Sequence, residues 1–360
     1  MDNTFLENVR PISVYAQRID STLYGNSYTD NDKNYIEVQS DYIDEDGTVV
    51  WAMDGAPYVI TGDIVVERNN NGGQISILKI EPGTELRFSS GSDLFIGHQS
   101  NGNRRGALQA DGVIFSRTDD IETWPGIDIQ HQSVDSETYI NNCIIEYASY
   151  GVACQSSSPT LTNNIFRYNI EGVNSDPGSA PNIYSNNFLE NNGAIVLQSP
   201  PSGYTIGGSS NNGNSFADNI EFAINNTDTN SDSVDATFNF WNSPFGPNTN
   251  EGEVVLGNVI TNPFVSMEAP TVGVYPGLFG NSVTWTHPLD NVSIDEYVIE
   301  RCCDLPNVII PQGESSYLDQ VDGRWVNSSY RIAAVDENNN YSVWSNEMLI
   351  ENQLFDLEIE

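Results

Sequence analysis

Three consecutive segments, 137–158, 159–180 and 181–202, repeat one another with a period of about 22 residues, the signature of a stacked repeat. Asparagine pairs recur as Asn141-Asn142, Asn163-Asn164 and Asn186-Asn187, and glycines as Gly151, Gly172 and Gly193. Apolar positions follow the same period: Ile145, Phe166 and Phe188, then Val152, Val173 and Ala194. A degenerate fourth copy carries Asn214, Phe216, Asn219 and Ile224. So short a period holds only a few brief strands separated by Asn, Ser, Gly and Pro turns. Alternation along each strand turns one face inward, and a lone coil cannot bury that face. Stacked coils can, because each hydrogen-bonds to the next at about 4.8 Å and like side chains pile on like. Asparagine suits the turns because it tolerates left-handed backbone angles and bonds nearby main chain. Stacked asparagines at matching turns are also expected to bond one another. Helix formers are too sparse for a helical solenoid. The chain therefore reads as all-β, with a right-handed parallel β-helix over 57–266.

The pattern is looser upstream. Tyr58–Ile60, Asp63–Val66, Leu78–Thr84, Leu86–Phe88, Leu94–Ile96, Leu108–Ala110 and Val113–Phe115 read as strands and turns of further coils. Residues 1–56 are polar and aromatic and are expected as a cap or linker. Composition shifts after 266. Residues 267–349 read as seven short alternating strands of a two-sheet sandwich, and 350–360 as a tail or linker.

Several of these segments resemble bacterial secreted or surface β-helix proteins of the pectate-lyase-like superfold. Ile80-Glu81-Pro82-Gly83-Thr84 resembles their opening turn, and Trp124-Pro125-Gly126-Ile127 resembles a W-x-G-I coil. Phe240-Trp241-Asn242-Ser243-Pro244 with Gly246-Pro247 resembles their closing motif, with Asn242 in place of the usual Gly. The second region looks like fibronectin type III: Trp285, Tyr297 and Tyr330 match its core aromatics, and Trp344-Ser345-Asn346 its last strand. That resemblance implies a spacer or binding module of a secreted multi-domain chain, without fixing an activity.

Charge excludes some partners. Lys and Arg number 13 against 50 Asp and Glu, a net charge of −37. A nucleic-acid backbone or an anionic membrane surface is repelled by that field. Anionic polysaccharide is disfavoured unless cations bridge it. No apolar run is long enough to span a bilayer, so membrane insertion is not expected. Met1 is followed by Asp2, Asn3 and Thr4, without the basic and apolar regions of a signal peptide. The expectation is an extracellular or cell-surface protein whose leader is trimmed, or a piece of a longer chain. The four cysteines, Cys143, Cys154, Cys302 and Cys303, are too few for a disulfide scaffold and lack metal-site spacing.

The β-helix superfold includes polysaccharide lyases and hydrolases, so their chemistry sets the alternative. A lyase pairs a calcium-binding acidic cluster with Arg or Lys. Between 137 and 224 the only basic residue is Arg167, with Arg117 just upstream; these two are the lyase candidates. Arg167 with Glu146 and Glu190 is expected as an outward row on neighbouring coils, most simply as surface ion pairs. For calcium, Asp228, Asn230, Asp232 and Asp235 place oxygen ligands at nearly alternate positions of one polar loop. The loop lacks the Gly and the final Glu of an EF-hand. Asp44-Glu45-Asp46-Gly47 and Asp30-Asn31-Asp32 are weaker copies. No cofactor is required, and calcium is the single candidate. The leading reading is a non-enzymatic surface module that contacts polysaccharide or other cell-surface glycans within a larger chain. A calcium-dependent lyase or hydrolase, and a structural segment of a surface layer or appendage, are the alternatives.

Overall fold

Every strand from Tyr58 to Leu197 that the repeat marks out pairs in parallel with its counterpart one coil away. The computed structural model describes residues 3–19, 25–52, 55–69, 74–100, 102–209, 212–228, 233–243, 245–249, 252–265, 267, 269–277, 280–286, 294–301, 307–320, 328–336 and 342–350. The chain winds as a parallel β-solenoid with three sheet faces, two of them nine strands deep. Each coil visits face one, then face two, then face three. One coil, for example, runs Ile144–Glu146, Ala148–Cys154 and Thr160–Thr162.

Register explains the core. On face one a single column runs Ile36, Tyr58, Leu86, Phe115, Ile145, Phe166, Phe188 and Phe216. All eight are buried, none more than 1% exposed. Phe166, Phe188, Phe216 and Trp241 stack in series, with ring centroids 4.9, 5.0 and 4.9 Å apart and planes within 9° of parallel. Face two contributes Ile64, Leu94, Ile127, Val152, Val173, Ile195 and Ile224 in one column.

Two corners are lined by asparagines, all buried except the half-buried Asn219. Asn164, Asn186, Asn214 and Asn239 form one ladder, each later Oδ1 accepting the main-chain N–H and the Nδ2 of the asparagine one coil before. Asn169, Asn191 and Asn219 form a second. The side-chain bonding expected of stacked asparagines is therefore present. The left-handed corner falls at Asn142, Asn163 and Ser185, φ 55°, 56° and 57°, and the next residue turns inward: Cys143, Asn164 and Asn186. Cys143 holds the first ladder position, donating through Sγ to the Asn141 carbonyl, and burial pushes its thiol pKa up.

Three expectations change. Parallel pairing begins at Thr4–Leu6, which pairs with Ser27–Thr29, and continues where Ile12–Tyr15 pairs with Ile36–Gln39, so coil-like pairing extends through the region expected as a cap or linker. Their alternation had been masked by polar turns, yet Ile36, Val38 and Trp51 are fully buried. Second, coil length varies. Along the face-one column the step from Ile145 to Phe166 is short, while those from Leu86 to Phe115 and from Phe115 to Ile145 are much longer. The visible sequence repeat therefore marks a run of short coils, and the coils just before it carry added loops at the corners. Third, Val173 pairs with Ile195, one place beyond Ala194. Gly151 is an extra residue, a bulge that leaves Gly126 facing Tyr150 and Ile127 facing Val152; on the next coil Tyr150 faces Glu171 and Val152 faces Val173, so Gly172 continues the bulge position in register. Glu171 faces Gly193 and Val173 faces Ile195, so the next residue in the bulge column is Ala194.

Beyond the solenoid the strands turn antiparallel. Thr271–Gly277, Gly280–Thr286 and Ser316–Asp319 form a three-stranded sheet. Val308–Pro311, Ile294–Arg301, Ser328–Asp336 and Met348–Ile350 form a four-stranded one. Val283 and Trp285 from the first share a buried cluster with Tyr297, Ile299, Tyr330 and Ile332 from the second. Tyr330 donates to Asp319, which also pairs with Arg301 at 2.9 Å. Val343 packs against Phe240 and Val265 of the last coil, and Asn187 hydrogen-bonds Asn346. Cys302, Cys303 and 351–360 lie outside the described residues.

Candidate functional site

Outward positions on face two form the site. One outward column runs Phe95, Asp128, Ala153 and Asn174, each in register with the next. A second lies just past the strand ends: Gln155, Asp176 and Gln198 each donate a main-chain N–H to a residue one coil before. With Asp93, Ser149 and Tyr150 they line a groove of about 560 Å³. From the coil of Phe95 to that of Gln198 is four steps of about 4.8 Å, or roughly 19 Å. The bulge matters here, because the extra residue Gly151 lets Tyr150 stand on the groove wall while Val152 stays in the core. Tyr150 is 45% exposed.

The groove is rich in acceptors. Gln155 Nε2 donates to Asp128 Oδ2 at 2.9 Å, and Gln130 Nε2 to the same oxygen at 3.3 Å. Gln198 Nε2 donates to Asn174 Oδ1 at 3.4 Å and to Asp176 Oδ1 at 3.2 Å. Asn174 Nδ2 donates to Glu171 at 2.6 Å. Asp128 Oδ1 is buried and has no hydrogen-bond partner among the described residues. Burial pushes Asp93 up to about 7, and the charges of Asp63 and Asp128 push the same way. Burial also lifts Asp128 to about 6, with Gln130 opposing and Asp176 adding. None of the residues lining the groove is basic.

The sequence-derived candidates lie elsewhere. Arg117 and Arg167 end strands of face one, at the corner before face two. Arg117 donates to the Ile121 carbonyl and lies over the Tyr147 ring, 4.5 Å from its centroid. Arg167 pairs with Glu146 at 2.7 Å and stands near Tyr168, whose ring stacks on Tyr147 at 5.2 Å. The residue in register after Glu146 and Arg167 is Leu189, so Glu190 does not continue that row. Of the calcium loop, Asn230 and Asp232 lie outside the described residues. Asp235 Oδ1 accepts the Thr237 N–H at 3.0 Å, and the Asp228 N–H donates to Asn226. Asp44 and Glu45 both accept from Gln17, and Asn31 accepts from Asn8 in a short amide ladder of the first coils. Among the described residues no group of three His, Cys, Asp or Glu is poised to hold a metal ion.

Asp93, Asp128, Asp176, Gln155 and Gln198 escape a search for sequence motifs. Their signal was the repeat itself: Gln130, Gln155, Asp176 and Gln198 follow successive face-two strands at close to the spacing of the repeat. Periodic polar positions are as informative about a solenoid's outer face as periodic apolar ones are about its core.

The fold defines the chain as a parallel β-solenoid followed by two antiparallel sheets. No protein-family model matches the sequence, and no curated protein shows significant similarity to it.

Proposed function

We propose that the chain is a non-enzymatic glycan-contact module of an extracellular or cell-surface protein, and that the face-two groove is its binding surface. The observation that carries this reading is the groove itself: five coils deep, walled by Tyr150 and lined with amides and carboxylates. An elongated groove of that kind suits a chain of hydroxyl-bearing rings. Hydroxyls donate to Asp93, Asp128 and Asp176, and the Tyr150 ring offers an apolar face for a sugar to stack on. The lining has no basic side chain to balance a uronate, which favours neutral glycans.

In this reading the solenoid is a right-handed, pectate-lyase-like β-helix, in keeping with the handedness that parallel crossovers favour. The seven C-terminal strands form a fibronectin type III-like sandwich serving as a spacer to further domains. A glycan array probed with the full chain, with and without calcium, tests it. Binding to neutral oligosaccharides in both conditions is expected. Silence across the array, or binding of uronates alone with calcium, overturns it.

One observation favours a hydrolase as a second reading. Burial raises both Asp93, to about 7, and Asp128, to about 6, above the ordinary carboxylate range, as the general acid of glycoside hydrolysis requires. New reducing ends released from a bound glycan, and lost in Asp93→Asn, establish it; an intact glycan after prolonged incubation rejects it. A lyase centred on Arg167 or Arg117 has less support, because both guanidinium groups are engaged at the corner, away from the groove.

A further inference from the structure

The second amide ladder ends on a residue that is not an amide. Along it, each Oδ1 accepts from the coil before, and each Nδ2 donates to a main-chain carbonyl: Asn169 to Ile145 at 3.0 Å, Asn191 to Phe166 at 2.9 Å and Asn219 to Phe188 at 3.0 Å. In each case the carbonyl lies three places before the preceding ladder position. The next rung is Glu253, whose Oε1 accepts the Asn219 N–H at 3.0 Å, as an asparagine Oδ1 does above it. Its Oε2 takes the place of the amide nitrogen. That atom is buried without a hydrogen-bond partner among the described residues, in a residue only 6% exposed. By the ladder's rule, the acceptor due at this level is the Phe216 carbonyl. A carboxylate has no proton to give there, and a carboxylic acid has one.

We propose that Glu253 is held in the folded chain as a carboxylic acid, and that it acts as a pH-operated latch on the last coil of the solenoid. The latch holds the segment that covers the end of the aromatic stack. The Glu253 N–H donates to the Trp241 carbonyl at 3.0 Å, and the Ala223 N–H donates to the Val254 carbonyl at 2.8 Å, just ahead of the terminal strand Val255–Leu256. Phe240, next to Trp241, packs with Val265 and Val343, so the latched end is also the end that carries the C-terminal unit.

The charged group acting on Glu253 is Asp218 on the preceding coil, whose carboxylate accepts from Asn242 at 3.0 Å. Burial pushes Glu253 up to about 7, Asp218 pushes the same way, and the Asn219 hydrogen bonds oppose. The folded value lies above the ordinary 4.5. The latch therefore contributes fully below about 4.5 and loses its contribution as pH rises through about 7.

Two measurements on the full chain test this. Carboxyl-carbon NMR of the glutamate-labelled protein follows the Glu253 titration, assigned by its absence in Glu253→Gln. A midpoint near 7 is expected, and one at about 4 to 5, the range of an ordinary glutamate, overturns the latch. Hydrogen exchange, corrected for intrinsic rates, is then compared at pH 5 and pH 8.5. Protection of the amides at 253–256 is expected to fall by about tenfold or more at the higher pH in the natural chain. It is expected to stay level in Glu253→Gln, whose amide supplies the donor at every pH. Equal protection at both values in the natural chain, or an undiminished fall in the variant, overturns the proposal.

Discussion

A buried asparagine is tolerable only if all of its polar atoms are engaged. Asn186 shows how the solenoid arranges this. Its Oδ1 accepts the N–H of Asn164 at 2.9 Å and the Nδ2 of Asn164 at 3.1 Å; its Nδ2 donates to the Leu161 carbonyl at 2.9 Å. Asn186→Ala strands donors on one side and an acceptor on the other. Urea unfolding is expected to show a loss of about 2–4 kcal/mol, from unpaired buried groups at about 1–3 kcal/mol each. Unchanged stability contradicts the ladder. At this scale the sequence was only half legible. The asparagine pairs are visible at a glance, but which member turns inward is not, because asparagine serves equally at a left-handed corner and in a ladder. Cys143 in a ladder position has no sequence signature at all.

At the scale of the strand, two columns set the tolerance to change. Phe188 sits between Phe166 and Phe216, with ring centroids 4.9 and 5.0 Å away. Phe188→Ala removes a fully buried ring and two stacking contacts, and a loss of about 3–5 kcal/mol is expected in the same unfolding assay. A loss under about 1 kcal/mol, too small for an emptied core site, refutes continuous stacking. The bulge column behaves oppositely. A Cβ on Gly172 meets the Ala194 carbonyl oxygen at 2.7 Å and Phe188 Cδ1 at 3.1 Å. Gly172→Ala is therefore expected to destabilise by about 1–3 kcal/mol. The neighbouring level already carries alanine at 194. That difference explains the one-place error in aligning the third repeat. Gly193 and Ala194 are adjacent and both small, and period alone cannot say which is the bulge. The slip matters, since a shift of one place in a strand exchanges core for surface.

For the whole molecule, the repeat made the parallel stack legible, and the aromatic series Phe166, Phe188, Phe216 was read in its true register. The first coils were not legible, because polar turns mask their alternation, and the longer coils that follow separate them from the regular repeat. The groove was not legible either, since Asp93, Asp128 and Asp176 come from separate coils, distant in sequence, and meet only through the stack. Asp93, Asp128 and Glu253 all have folded pKa values raised above the ordinary carboxylate range. Each favours the folded state most when protonated in both states, and each loses that advantage as pH rises toward its folded value. The denaturation midpoint is therefore expected to fall between pH 5 and pH 8, and to do so in high salt as well as low, because buried groups are screened little. A midpoint that rises over that interval contradicts the burial of these acids.

The assignment of glycan contact to the face-two groove stands or falls on where binding is lost. Titration calorimetry of a neutral oligosaccharide selected on the array, run on Tyr150→Ala, Gln198→Ala and Arg167→Ala, measures this directly. Tyr150 and Gln198 line the groove and Arg167 does not. Loss of about 1–3 kcal/mol of binding energy is expected for each groove variant, with Arg167→Ala unchanged. Unaltered affinity in both groove variants, or a loss confined to Arg167→Ala, contradicts the assignment.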